Sequence, residues 1–320
     1  MIVVFGSINL DLVARVASLP SVGETISARA FSTSPGGKGA NQALAARRAG
    51  AAVALFGAVG RDAFAVPALS LVRAAGIGVD GVREVEGPTG IAMIHVDARG
   101  ENIITVAAGA NANALASQIR DSYLDTSTTV LLQFEAPIAQ SLAVAQRARS
   151  LGARVVLNCA PAAPLDQAWL QAIDVLIANA GEADAIARAD GLPSRPAAFV
   201  EAMADRHGIT TIVTLGAQGV VAATSSTSFA VPALPVDVVD TVGAGDAFVG
   251  VLAAKLDGGQ PLASALVAAA AAVAAAALSD STPPGIGIVT RSVARARIAG
   301  DNPAPSLPTA TASGRASSDR

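Results

Sequence analysis

The sequence is short of the side chains that carry metal and redox chemistry. Among 320 residues there is one cysteine, Cys159, and there are two histidines, His95 and His207. That excludes a disulfide scaffold, a Cys/His zinc site and a histidine-pair metalloprotease motif. One cysteine also fits a reducing compartment. There is no surplus of positive charge: 22 basic residues face 25 acidic ones, a net charge of −3. A general nucleic-acid binder needs a basic surplus, so no nucleic-acid partner is expected. No run reads as a membrane anchor or targeting signal. The long apolar stretch, Leu262 to Leu278, is mostly alanine and contains Ser264, whereas a span needs about 20 strongly apolar residues. It reads as a buried helix. Met1 to Phe5 has no basic flank and runs into Gly6, so it reads as a first strand rather than a signal peptide. No membrane partner and a cytoplasmic location are the expectations.

What is present is a core. The chain is 52% hydrophobic and 15% charged, enough apolar surface for folding to outweigh chain entropy over most of its length. Short apolar, often β-branched runs at Ile2–Phe5, Ala52–Gly57, Thr129–Leu132, Arg154–Leu157, Val175–Ala178 and Thr211–Thr214 alternate with helical stretches. The helices are read at Ala40–Arg48, Pro67–Ala75, Ile138–Leu151, Pro196–His207 and Ala244–Lys255. Fully apolar strands separated by helices predict an α/β fold with a mainly parallel sheet covered on both faces. Two pieces break the rhythm. Asp11 to Phe31 reads as extended chain, and Thr89 to Val106 reads as a hairpin turning at Asp97–Glu101. Together they predict a small separate sheet inserted in the core, from about 11–35 and 89–107. Residues 1–300 would form this one domain. Residues 301–320, rich in Pro, Ser, Thr and Ala, would be a disordered tail.

The strongest chemical signal is Asp240-Thr241-Val242-Gly243-Ala244-Gly245-Asp246-Ala247-Phe248, between a strand and a helix. Backbone N–H groups of Gly243, Ala244 and Gly245 at the helix start would make an anion hole for a phosphoryl group in transfer. Asp246 on the first turn could accept a proton from an attacking hydroxyl. A plain glycine loop with a charge at the helix start is the competing reading. The loop is not a Walker A, because no G-x-x-x-x-G-K-[ST] occurs, and its last glycine is misplaced for a dinucleotide fingerprint. At the other end, Asn9 and Asp11 follow the first strand, where ligands of open α/β sheets bind. The glycine turn Gly36-Gly37-Lys38-Gly39-Ala40-Asn41 opens a helix and would allow a polar ligand close backbone approach. Lys38 is one of two lysines, Lys255 being the other. Turn and cap roles remain open for all of these. Cys159 reads as a small buried hydrophobe, Trp169 as helix packing, and the histidines as structural or surface residues.

The ordered set "GSINLD", "PGGKGANQA", "AGAN", "NAGEAD", "TLGAQG" and "DTVGAGDAF" resembles the ribokinase-like (PfkB) carbohydrate kinases, over about Ile2 to Ile298. The resemblance implies an ATP-dependent sugar kinase with Asp246 as base and the Gly243–Gly245 amides as anion hole. D-Ribose is the acceptor it favours, phosphorylated at its 5-hydroxyl. It surrounds the sugar with Asn9, Asp11, Gly37, Lys38, Gly39, Ala40, Asn41 and Glu135, and brings Ala92 and Ile104 over it from a lid. It gives ATP the residues Asn179, Glu182, Thr214, Leu215, Gly216, Ala217, Gln218, Gly219, Gly245, Asp246 and Ala270, with Asn179 and Glu182 acting indirectly on Mg²⁺. "NAGE" also matches a capping box, and the two readings are compatible. The resemblance further implies a monovalent cation, K⁺, held by Asp240, Val242, Ala276, Ser279, Ser281 and Gly285. There the loop "ALSDSTPPGIG" departs from the usual family wording. A homodimer through the lid is also implied. Rival readings are a kinase for another pentose, a ketose or a nucleoside, a non-catalytic sugar or nucleotide sensor, and a DNA-contacting regulator. Aromatics make up 3% of the chain and none lies in Thr89–Val106, which disfavours a nucleoside. The retained base and glycines disfavour a sensor, and the charge balance disfavours the regulator.

Overall fold

The computed structural model describes residues 1–236 and 243–277. The chain opens with β1 (Ile2–Phe5), leaves the core in β2 (Asn9–Arg15) and β3 (Ala30–Gly36), and returns through α1 (Lys38–Arg48) and β4 (Val53–Gly60). After α2 (Ala65–Ala74) and β5 (Gly78–Val85), it leaves again as β6 (Gly90–Val96) and β7 (Asn102–Ala107). The rest runs β8 (Thr129–Leu132), α3 (Ile138–Ser150), β9 (Arg154–Asn158), α4 (Gln167–Ala172), β10 (Val175–Asn179), α5 (Ala180–Asp190) and α6 (Pro196–His207). It continues as β11 (Thr210–Thr214), β12 (Val220–Ala223), β13 (Ser228–Val231), α7 (Ala244–Asp257) and α8 (Leu262–Ala277).

Among the described residues, nine strands form one sheet in the order β13-β12-β11-β10-β9-β8-β1-β4-β5. All its pairings are parallel except β11 with β12 and β12 with β13. Alternate side chains of β1 supply two cores, as a strand buried on both faces must. Ile2 and Val4 pack in the core formed with α1, α2, α7 and α8. Val3 and Phe5 pack in the core formed with α3, α4, α5 and α6. Each such buried aliphatic or aromatic side chain contributes about 1.5–3 kcal/mol over leaving it in water.

The second sheet has the order β3-β2-β6-β7, and its β6–β7 hairpin turns at 97–101 as expected. Asp97 closes the turn by accepting from the N–H groups of Arg99 and Glu101, at 2.8 and 3.0 Å. The extended piece 11–31 needs one correction: residues 16–29 form no strand, and only its ends join the sheet. Four chain passages link the sheets: Gly6–Ile8 before β2, Gly37 after β3, residues 86–89 before β6, and Ala108 after β7. They crowd together. A Cβ on Gly37, whose φ is +91°, would lie 2.8 Å from the Asn9 nitrogen and 2.9 Å from the Ser7 carbonyl oxygen. All described residues fall in one compact unit, and the tail lies outside them. Among the described residues no helix is long and apolar enough to cross a membrane.

Candidate functional site

The glycine turn and the first strand's exit are built against each other. The Ala40 N–H donates to the Ser7 carbonyl at 3.0 Å and the Gly39 N–H to Ser7 Oγ at 3.3 Å. Ser7 Oγ donates to Glu135 Oε2 at 2.6 Å, and the same oxygen accepts from the Lys38 N–H at 3.2 Å. Glu135 is thereby fixed beside the turn, which a solvated loop acid would not be. Asn9 is buried, and its Oδ1 accepts from Asn111 Nδ2 at 2.7 Å. Asn111, the last residue of "AGAN", also binds both backbone groups of Ile8.

Helix α1 then carries Lys38, Asn41 and Gln42 toward the start of α7. Asn41 Nδ2 donates to Asp246 Oδ2 at 3.2 Å, and Gln42 Nε2 donates to Asp246 Oδ1 at 2.9 Å. Gly250, one turn along from Asp246, sets the distance between the two helices. A Cβ there would stand 2.4 Å from the Gln42 carbonyl oxygen and 2.9 Å from the Ala46 nitrogen. This is what the third glycine of "GAGDAFVG" does: it permits helix crossing at backbone contact.

Charge is concentrated here. Burial pushes the Asp246 carboxyl above the usual carboxylate range, Lys38 and the Gln42 and Asn41 amides pull it back, and Glu135 adds to the rise. Asp11 rises to about 7, through burial first and then the neighbouring charges of Glu135 and Asp246. Burial lowers the Lys38 ammonium, but Asp246, Glu135 and Glu182 outweigh it, so its pKa stands above the ordinary value. Burial likewise raises Glu182, against the Asn179 N–H and Lys38. One cation among several carboxylates in a cleft is an arrangement suited to positioning an anion and a hydroxyl together.

A cleft of about 150 Å³ joins Lys38, Asn179, Glu182, Thr214, Gly243, Gly245 and Asp246. Gly243 starts α7 in the left-handed conformation, φ +75°. Asn179 and Glu182 form a reciprocal capping box on α5, each bond 2.8 Å, while also lining this cleft. Beside it an apolar cleft of about 130 Å³ is lined by Thr214, Gly216, Gly219, Ala244, Gly245, Phe248, Ala270 and Val273, among others. Of the "TLGAQG" residues, Leu215 packs on the core, while Ala217 and Gln218 are exposed away from the cleft lining.

In the small sheet Asp11 pairs with Ala92, and Ala92 with Val106, so these three share the face turned toward Glu135 and Asp246. Ile104 lies on that face one register step further out, opposite Ile94, and is about half exposed. Val106 is the position missed; strict alternation along β7 would have found it. Gln42, Gln133, Asn158 and Asn111 were also missed as site residues, although Asn158 ends a parallel strand, where ligands gather. Cys159 and Trp169 are buried core residues, and burial raises the Cys159 thiol to about 11, which makes it a poor nucleophile. Of the residues expected to hold a monovalent cation, Asp240, Val242, Ser279, Ser281 and Gly285 lie outside the described residues. Ala276 is buried on α8. No cluster of acidic and histidine or cysteine groups able to hold a metal occurs among the described residues.

Comparison with known proteins shows the family and the fold. Residues 1–283 match the pfkB family of carbohydrate kinases. The chain is 38% identical over 280 residues to ribokinase of Schizosaccharomyces pombe, covering 83% of this chain and 88% of that protein. It is 36% identical over 253 residues to ribokinase of Lactococcus lactis, covering 78% and 81%. The structure of Arabidopsis thaliana ribokinase complexed with ribose and ATP superposes with a TM-score of 0.77 at 30% identity, over 87% of this chain and 93% of that one.

Proposed function

This chain belongs to the pfkB family of carbohydrate kinases, and from that premise we propose that it phosphorylates D-ribose at the 5-hydroxyl with ATP. The observation that carries the reading is the meeting of Asp246 with Lys38, Asn41 and Glu135 beside the Gly243–Gly245 helix start. The 5-hydroxyl gives its proton to Asp246 as its oxygen bonds to the γ-phosphorus. The bond from that phosphorus to the β,γ-bridging oxygen breaks, and ADP leaves. The Gly243, Ala244 and Gly245 N–H groups and Lys38 face the charge that spreads over the γ-oxygens. Asn9, Asp11, Asn41 and Glu135 suit a polyol, because each leaves a buried polar group unpaired when a hydroxyl is missing. The Asp11 face of the small sheet carries no aromatic ring: its partners are Ser34, Ala92 and Val106, and Phe31 pairs with Ala14 and stands on the other face. That favours a sugar over a stacked base. The apolar cleft at Phe248, Ala270 and Val273 suits an adenine ring.

The residues present fit Mg²⁺ that arrives with the nucleotide. With no acidic cage among the described residues, Asn179 and Glu182 would face its bound waters, and when present it neutralises phosphate charge. A K⁺ site at Asp240, Val242, Ala276, Ser279, Ser281 and Gly285 is supported by the resemblance alone. A homodimer through the lid is supported by β7, an uncharged edge strand exposing Ile103, Ile104 and Val106, with Met93 beside it. Such an edge needs covering. The use of ATP and a single buried thiol support a cytoplasmic setting.

The test is ADP release by the purified protein with Mg-ATP, with and without K⁺, across D-ribose, 2-deoxyribose, fructose, ribitol and adenosine. Turnover with D-ribose above the others, raised by K⁺, is expected. Preference for another acceptor overturns the substrate, K⁺ independence overturns the cation site, and no turnover in folded protein overturns the catalytic reading.

A further inference from the structure

The chain treats the two oxygens of Asp246 differently. Oδ2 meets Asn41 at 3.2 Å, and Asn41 Oδ1 is a buried atom with no partner among the described residues. Oδ1 meets Gln42, which has no exposure at all. The second hydrogen of Gln42 Nε2 goes to Asn158 Oδ1 at 2.9 Å, and Gln42 Oε1 accepts from Gln133 Nε2 at 2.7 Å. Gln133 is equally buried. One amide therefore joins the ends of β8 and β9 to the first turn of α7, with both of its hydrogens and its oxygen engaged. A buried amide inside an alanine-rich core is costly unless its bonds are made; Gln42 makes all of them, while Gln133 Oε1 has no partner among the described residues. An aliphatic side chain at 42 would fill the space but would lose the grip on Asp246 and leave Gln133 Nε2 and Asn158 Oδ1 without this partner.

We propose that Gln42, braced by Gln133, is a positioning residue for Asp246: it pins Oδ1 so that Oδ2 faces the acceptor hydroxyl. The inference rests on the reading of Asp246 as the base and adds a residue to it. The same bond favours the ionised carboxylate in a site where burial disfavours it. The other charged groups around Asp246 are Lys38, Glu135, Asp11 and Glu182. None is a hydrogen-bond partner of Gln42's side chain, so their influence continues when it is changed.

The test compares wild type with Gln42→Met, Gln133→Met and Asp246→Asn in steady-state kinetics from about pH 5 to 9, with circular dichroism as a fold check. Gln42→Met is expected to lower kcat about tenfold to a hundredfold, the cost of a misplaced reacting group, while KM for sugar and nucleotide stays within about threefold. The acid limb of kcat/KM should move to higher pH. Gln133→Met should repeat both changes more weakly, and it decides the matter alone if Gln42→Met does not fold. Unchanged kcat and acid limb in folded variants overturn the proposal while loss of turnover in Asp246→Asn leaves the base in place. Near-normal turnover in Asp246→Asn overturns the base reading itself.

Discussion

Asp246 and Asp11 share a site, and burial acts on both carboxyls. At Asp246 the rise is opposed by Lys38 and two amide donors, which suits a base that must be ionised to work. Asp246→Asn is expected to lower kcat by about 10²–10⁴, the usual worth of a general base, with a smaller change in sugar affinity by equilibrium binding. Asp11 has no such relief and sits at about 7 against an ordinary 3.8. Between those values the folded protein binds a proton that the unfolded chain has released, so the Asp11 contribution is complete at low pH and is lost as pH rises through about 7. Melting temperatures of the ligand-free protein should therefore fall from pH 4 to 7 more steeply in wild type than in Asp11→Asn. Parallel curves would show that Asp11 does not titrate there.

At the scale of elements, the site depends on two helices meeting at Gly250. Gly250→Ala must push α1 from α7, because the new carbon would meet backbone atoms at 2.4 and 2.9 Å. A loss of about 1–3 kcal/mol in denaturant titration is expected. It should come with a fall in kcat larger than any change in nucleotide affinity, since Asn41 and Gln42 ride on α1. Most elements that build this frame were legible. β1, β8 and α6 have the bounds read from the sequence, because apolar runs met clear turn residues. β5, β12 and β13 were not read. They lie at or next to the sheet's edges, where β5 mixes glycine and charge and is half exposed, so it carries no clean period. The site divides the same way. Glycine turns and Asp246 announce themselves by local chemistry. The Gln42, Gln133 and Asn158 contacts arise only when positions distant in sequence converge, and no spacing encodes that.

At the scale of the whole molecule, no strand among the described residues pairs with the outer side of β7 in the small sheet. Ile103→Lys puts charge on that edge, on the face opposite Asp11. It is expected to convert the proposed dimer to a monomer in sedimentation velocity while nucleotide binding is kept; an unchanged sedimentation coefficient would overturn an interface at this edge. The four crowded passages between the sheets have a mechanical consequence. A seven-residue strand such as β2 reaches about 23 Å, so a tilt of about 10° at its root carries the far end about 4 Å. The root is where Ser7, Asn9 and Gly37 stand. The passages would thus form a fulcrum at the proposed sugar site with the small sheet as its long arm: a misfit of a fraction of an ångström between two acceptors would be magnified at the 97–101 hairpin, far from any atom that touches them.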